Sequence, residues 1–294
     1  MNRVRPAAVA GVFYPGDRVT LEAGVRRLLA DAVVASSPQG LPQELPQAPL
    51  KGAAPKALIV PHAGYIYSGP VAARAFSCVA GATHVRRVVL IGPAHRAFVY
   101  GVAIPGGDTT AFATPLGNVP LDAKAMAGLR HLPHVVVDDD AHKAEHSLEV
   151  QIPFLQILLK NFFIVPLLVG EAATHQVAGV LDALWGGPET LIVVSSDLSH
   201  YHSYATSQSM DRDTADAILA LRPDAIGHDR ACGATPVRGL LEAAGRRGLH
   251  AELLGLQNSG DTAGDRSRVV GYGAFALLET RSKTTYEVGY AHAS

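Results

Sequence analysis

Two histidines occupy matching places in this chain. The run Ala57-Leu58-Ile59-Val60 ends in Pro61 and then His62, and Arg87-Val88-Val89-Leu90-Ile91-Gly92 is followed by Pro93, Ala94 and His95. A short apolar run reads as a buried strand, and proline closes it because it cannot donate to a central ladder. Each imidazole then stands at the carboxyl end of a strand, where open α/β sheets place their ligands. Two adjacent parallel strands built this way put His62 and His95 on one rim. Imidazole suits iron, copper, zinc and nickel, so His62 and His95 are read as metal ligands. A third run, Leu191 to Ser195, leads into Ser196-Asp197-Leu198-Ser199-His200. His200 is a candidate general acid/base, its ordinary pKa lying near neutrality. Asp197 can orient an imidazole or bind a metal through water. His146, in Glu145-His146-Ser147-Leu148-Glu149, precedes or opens a helix and is a candidate positioning group. Its surroundings do not match a His-Glu-x-x-His zinc helix.

Cys232 lies in a turn before a helix, where backbone N–H groups and the helix dipole can lower a thiol pKa. Cys78 reads as a small core residue of the first apolar helix. Ser195 or Ser196 beside Asp197 and His200 raises the alternative of a serine hydrolase, but no Gly-x-Ser-x-Gly elbow surrounds them. No Gly-x-Gly-x-x-Gly fingerprint or Walker loop is present, which disfavours nucleotide binding.

Strands and helices in alternation must position these groups. Residues 3–16 read as irregular, and Asp17 starts a helix with Val19, Leu21, Val25, Leu28 and Leu29 available for its apolar face. Ser68 is placed to cap a helix beginning near Pro70. Residues 101–121 read as short strands or a hairpin, a flap beside the site. A short helix over Asp122 to Leu129 and a strand at Val135-Val136-Val137 follow. The run Asp138-Asp139-Asp140 suits a helix N-terminus or solvated loop more than a cation site. An apolar helix through about Leu159, a strand from Phe162 to Val169, a helix near Ala172–Trp185 and a helix from about Gln208 to Leu221 come next. Thr235 and Pro236 mark another helix start, and Leu249 to Leu256 and Val269 to Leu278 read as strands with an antiparallel edge. The alternation predicts an α/β fold, a central mostly parallel sheet flanked by helices. Residues 1–280 form one domain, with a Pro-rich surface connection at 36–55 and a loose tail at 281–294.

The chain has 294 residues, 48% hydrophobic and 17% charged, enough for a sizeable core. A formal net charge of −1 argues against a general nucleic-acid surface. No stretch approaches the roughly 18 apolar residues of a membrane span, no signal peptide is evident, and two cysteines do not make a disulfide scaffold. The expectation is a cytoplasmic protein without membrane or nucleic-acid partners.

The blocks Val12-Phe13-Tyr14-Pro15, Pro61-His62-Ala63-Gly64-Tyr65, Gly92-Pro93-Ala94-His95, Glu145-His146-Ser147-Leu148-Glu149, Ser195-Ser196-Asp197-Leu198-Ser199-His200 and Cys232-Gly233 together resemble the Memo family, the second component of the AmmeMemoRadiSam gene set. The resemblance implies a fold like the class III extradiol dioxygenases, which hold non-heme iron(II) with two histidines and a carboxylate. It places His62, His95 and Cys232 as the metal ligands, with cysteine where those enzymes carry the carboxylate. It makes His200 the counterpart of their acid/base, with Asp197 and His146 around it. Thiolate shifts the preference towards softer or redox-cycling metals. The resemblance therefore implies iron(II) or copper, less so zinc, a redox or oxygenase-type activity, and a small-molecule or peptide ligand. It also implies radical-SAM and AMMECR-type partner proteins. The competing class is a binding module that uses the dioxygenase-like cleft without catalysis.

Overall fold

The computed structural model describes residues 3–35 and 54–279. The Pro-rich stretch, apart from Ala54 and Pro55, and the tail lie outside them. In chain order the first elements are β1 (Arg3–Arg5), α1 (Arg18–Ala35), β2 (Ala57–Val60), α2 (Tyr65–Ser77), β3 (Arg87–Pro93), β4 (Val102–Ile104), β5 (Thr109–Thr114) and β6 (Gly117–Pro120). Then come α3 (Ala123–Leu129), β7 (Val135–Val137), α4 (Asp139–Lys143), α5 (Ile152–Leu158), β8 (Phe163–Val169), α6 (Thr174–Leu184) and β9 (Thr190–Ser195). The last are β10 (His200–His202), α7 (Tyr204–Leu219), α8 (Ala234–Arg246), β11 (His250–Asn258), α9 (Ser259–Thr262) and β12 (Val269–Leu278).

The large sheet has the order β10-β12-β2-β9-β3-β8-β4-β7, with β11 on the other side of β12. Its centre, β2-β9-β3-β8, is parallel. These strands are almost wholly apolar and buried, as strands covered on both faces must be. The flanks β12 and β4 run antiparallel to the centre, so the sheet as a whole is mixed. Helices α1, α2 and α5 pack together, as do α6 and α8, and the result is one α/β domain with a helix-flanked sheet. A second, small sheet joins β1 to the β5-β6 hairpin.

Several expectations need correcting. β2 and β3 are not neighbours: β9 lies between them and pairs with both. Residues 3–5 form a strand because β5 offers a free edge. The β5-β6 hairpin pairs with β1, and none of its residues lines the cleft described below. α2 begins five residues before Pro70, with Gly64 at its N-cap; Ser68 lies inside it and donates to the Ala63 carbonyl (2.7 Å). Gly233, not Thr235, precedes α8. Val19 is 78% exposed, while Leu21 and Val25 form the buried stripe of α1. Asp138 caps α4, and Asp139 bonds the Gly106 amide and the Thr109 hydroxyl, so the acidic run is a helix start. Cys78 sits half-buried at the end of α2.

At the amino end of β2, the buried Lys56 ammonium donates to the carbonyls of Trp185, Gly187 and Thr190 (2.5, 2.9 and 2.8 Å). His142 of α4 is buried too, its Nε2–H bonded to the Ala103 carbonyl (3.1 Å). Burial pushes the His142 pKa down to about 4 from its ordinary 6.5. The unfolded chain therefore takes up this proton first as the pH falls. Stability is full above about pH 6.5 and declines on acidification through pH 4, by about 3 kcal/mol from this group. His142→Gln, which keeps a donor for Ala103, is expected to flatten that slope in urea unfolding between pH 7 and 4. An unchanged slope would place the acid sensitivity elsewhere.

Candidate metal centre

The carboxyl ends of β2, β9 and β3 meet at one rim, and each supplies polar groups there. His62 follows Pro61 at the end of β2. Its backbone N–H donates to Asp197 Oδ1 (2.7 Å), and its Nδ1 lies 2.9 Å from Ser195 Oγ. Ser195 is the last residue of β9 and pairs with Val60. His95 leaves β3 with its backbone N–H on Glu145 Oε2 (2.5 Å) and its Nδ1 on Glu145 Oε1 (3.1 Å). A carboxylate only accepts, so His95 Nδ1 carries a proton, and in the neutral ring the lone pair is on Nε2.

Cys232 reaches the same point from a distant part of the chain. Its backbone N–H donates to the Asp197 carbonyl (3.3 Å), and Gly233 N–H donates to Ser196 Oγ (3.0 Å). A side chain at Gly233 would stand 2.7–2.8 Å from Ser196 Cβ and the Ser195 carbonyl, so only glycine lets α8 start this close to β9. Cys232 Sγ lies 3.2 Å from His62 Nε2 and accepts the Asp197 N–H (3.3 Å). The donor atoms of His62, His95 and Cys232 all lie within 4.8 Å of one another. The donor atoms of His95, Glu145 and His146 also lie within 4.8 Å of one another, but Glu145 is taken up by hydrogen bonds.

The electrostatics follow from burial. It is the main cause holding the His62 pKa well below 6.5, with His95 and His146 adding to it, so His62 is neutral. Burial pushes the Cys232 thiol up to about 12, and the Asp197 charge adds to this. The helix start was expected to lower that pKa; desolvation outweighs the backbone donors. Burial also raises the Asp197 carboxyl, opposed by the His62 N–H bond. For Glu145 the balance is reversed. Burial would raise it, but the His146 and His95 rings and the backbone N–H groups of Ser147 and His95 hold it far below the usual carboxylate range.

His146 stacks on the His95 ring (centroids 4.8 Å apart, 25° between planes) and stands edge-on to His62 at 5.5 Å. His200 lines the same cleft, with Nδ1 on the Leu198 carbonyl (2.8 Å), so in the neutral ring Nε2 is the lone-pair nitrogen. The cleft has a volume of about 1020 Å³ and opens past Phe13, Tyr67, Tyr201 and Arg268. Tyr65 does not line it; its hydroxyl donates to the Val150 carbonyl (2.6 Å). All six sequence-predicted site residues thus meet in one place.

Sequence reasoning assigned no role to Glu145, Glu149 or Gln151, and considered Ser195 only as a nucleophile. Ser195 and Ser196 are buried with their hydroxyls committed, which closes the serine-hydrolase alternative. Neither glutamate carried a local signal, because the partners that give them their roles, His95 for Glu145 and Arg5 and Tyr14 for Glu149, lie far away in the chain.

A family model described as Memo-like protein matches residues 5–276. A MEMO1 family protein of Ignicoccus hospitalis is 38% identical over 286 residues, covering 92% of this chain and 97% of the relative. One from Sulfolobus acidocaldarius is 35% identical over 285 residues, covering 92% and 97%. One from Aquifex aeolicus is 33% identical over 281 residues, covering 92% and 97%. The crystal structure of an uncharacterized Escherichia coli K12 protein matches at a TM-score of 0.48 and 14% identity, covering 76% of this chain and 98% of that one, a likeness too loose to weigh. Matched over residues 5–276 by the family model and over 92% of its length by these relatives, this chain belongs to the Memo family.

Proposed function

We propose that the chain is a metal-dependent redox or oxygenase-type enzyme in which His62, His95 and Cys232 hold iron(II) or copper. The observation that carries this reading is the convergence of two imidazoles and one thiol, from three distant segments, within 4.8 Å at a cleft. The donor set fits: neutral imidazoles and a thiolate suit these metals, and three protein ligands leave positions open. The bound metal would supply redox chemistry and a place for oxygen or substrate. The chain's own groups do the rest. His200 offers its Nε2 lone pair as acceptor for a substrate hydroxyl proton. Asp197 fixes the His62 backbone, Glu145 fixes the His95 ring, and His146 backs that ring by stacking.

Anaerobic reconstitution with iron(II) or copper(I) tests the reading. One tightly held metal per chain is expected, with oxygen uptake when candidate phenols are added. His200→Gln should keep the metal and lose the uptake. A loaded protein that neither consumes oxygen nor turns over phenols would leave the cleft as a binding module. No helix among the described residues is long and apolar enough to cross a membrane.

A further inference from the structure

We propose that Ser195 is a positioning residue that locks the His62 ring with its proton on Nδ1 and its Nε2 lone pair facing Cys232. A hydroxyl has one proton to give and two lone pairs to receive. Ser195 Oγ gives its proton to the Ser147 carbonyl (2.6 Å), which can only accept. Gln151 Nε2 donates to Ser195 Oγ (2.9 Å) and to the Pro61 carbonyl (2.9 Å). The Pro61 carbonyl also only accepts, so it fixes which end of the Gln151 amide points this way. One lone pair of Ser195 is left, and His62 Nδ1 lies 2.9 Å from it. Only an Nδ1–H complements that lone pair.

Ser147, Gln151, Ser195 and His62 are all buried, so water does not offer Nδ1 another partner. The opposite tautomer would set two lone pairs against each other at Nδ1 and aim a proton at Cys232 Sγ. β9 lies between the two histidine-bearing strands. Its last residue reaches the back of His62, while Asp197, two residues on, holds the His62 backbone. Ser195 therefore does for His62 what Glu145 does for His95.

The lock stands on hydrogen-bond geometry; its consequence for metal affinity rests on the proposed function. Nitrogen-15 NMR of the histidine rings in the metal-free full chain reads the tautomer directly. His62 is expected to show a protonated Nδ1 and a bare Nε2. Ser195→Ala should give mixed His62 tautomers with His95 and His200 unchanged, and Ser195→Thr, which keeps the hydroxyl, should restore the single form. Cobalt(II) is the metal probe, followed by its absorption. Its affinity should fall about 10–100-fold in Ser195→Ala, the usual cost of losing an outer partner of a ligand histidine. A wild-type His62 protonated on Nε2 overturns the lock, and that spectrum decides the matter even if the alanine variant fails to fold. So does a Ser195→Ala protein with unchanged His62 signals. A wild type that shows the expected tautomer but takes up no cobalt upholds the lock and removes the metal reading instead.

Discussion

Replacing Cys232 with serine is expected to strip the protein of most of its bound metal while leaving the fold unchanged. Sulfur is the one soft donor at the centre, 3.2 Å from His62 Nε2. A serine hydroxyl is a hard, protonated oxygen and a poor substitute for a thiolate. The Cys232 thiol holds its proton at neutral pH, but a coordinating cation deprotonates it outright. The affinity loss should therefore exceed the roughly 10–100-fold that removal of an outer partner costs. The fold should persist because the turn is held by backbone bonds that do not use Sγ: Cys232 N–H to the Asp197 carbonyl and Gly233 N–H to Ser196 Oγ. Elemental analysis after reconstitution, with a melting curve on the same sample, makes the comparison. Unchanged metal content would take Cys232 out of the site.

Glu149→Gln should have the largest effect on stability. The Glu149 carboxylate is fully buried and paired with the buried Arg5 guanidinium. It also accepts from the N–H groups of Ala8 and Val9 (2.7 and 3.0 Å) and the Tyr14 hydroxyl (2.6 Å). Arg5 in turn donates to the carbonyls of His142 and Glu145 (2.7 and 2.5 Å). Breaking a buried pair by removing one charge costs about 3–5 kcal/mol. For a chain of this size that is on the order of 10 °C in melting temperature. Calorimetry reads it, and a drop below about 2 °C would mean that Arg5 finds another partner. The same variant should weaken metal binding, although Glu149 touches no proposed ligand. Arg5 holds the Glu145 carbonyl, and the Glu145 side chain holds His95.

The strand ends were legible in the sequence because apolar runs closed by proline leave few conformations. His62 and His95 lie at the expected rim for that reason. The order of the strands was not legible. Nothing in the runs at 57–60 and 87–92 says that a strand from 190–195 inserts between them, since a strand buried on both faces carries no mark of its neighbours. Helix starts were misplaced where a polar side chain served another purpose. Ser68 turns back to the Ala63 carbonyl, and Thr235 lies inside α8 because Gly233 is needed for close packing. The roles of Glu145 and Ser195 stayed hidden for a different reason. Both act through hydrogen bonds to residues about 50 and 130 positions away, which no local pattern records.

The Lys56 tripod at the opposite end of β2 has one more consequence. Lys56 and His62 are separated by one short strand, roughly 20 Å at full extension. Free-energy changes at such distances add independently. Thermal robustness can therefore drift or be engineered at the amino-terminal edge of the sheet while the reactivity of the opposite edge is left as it was.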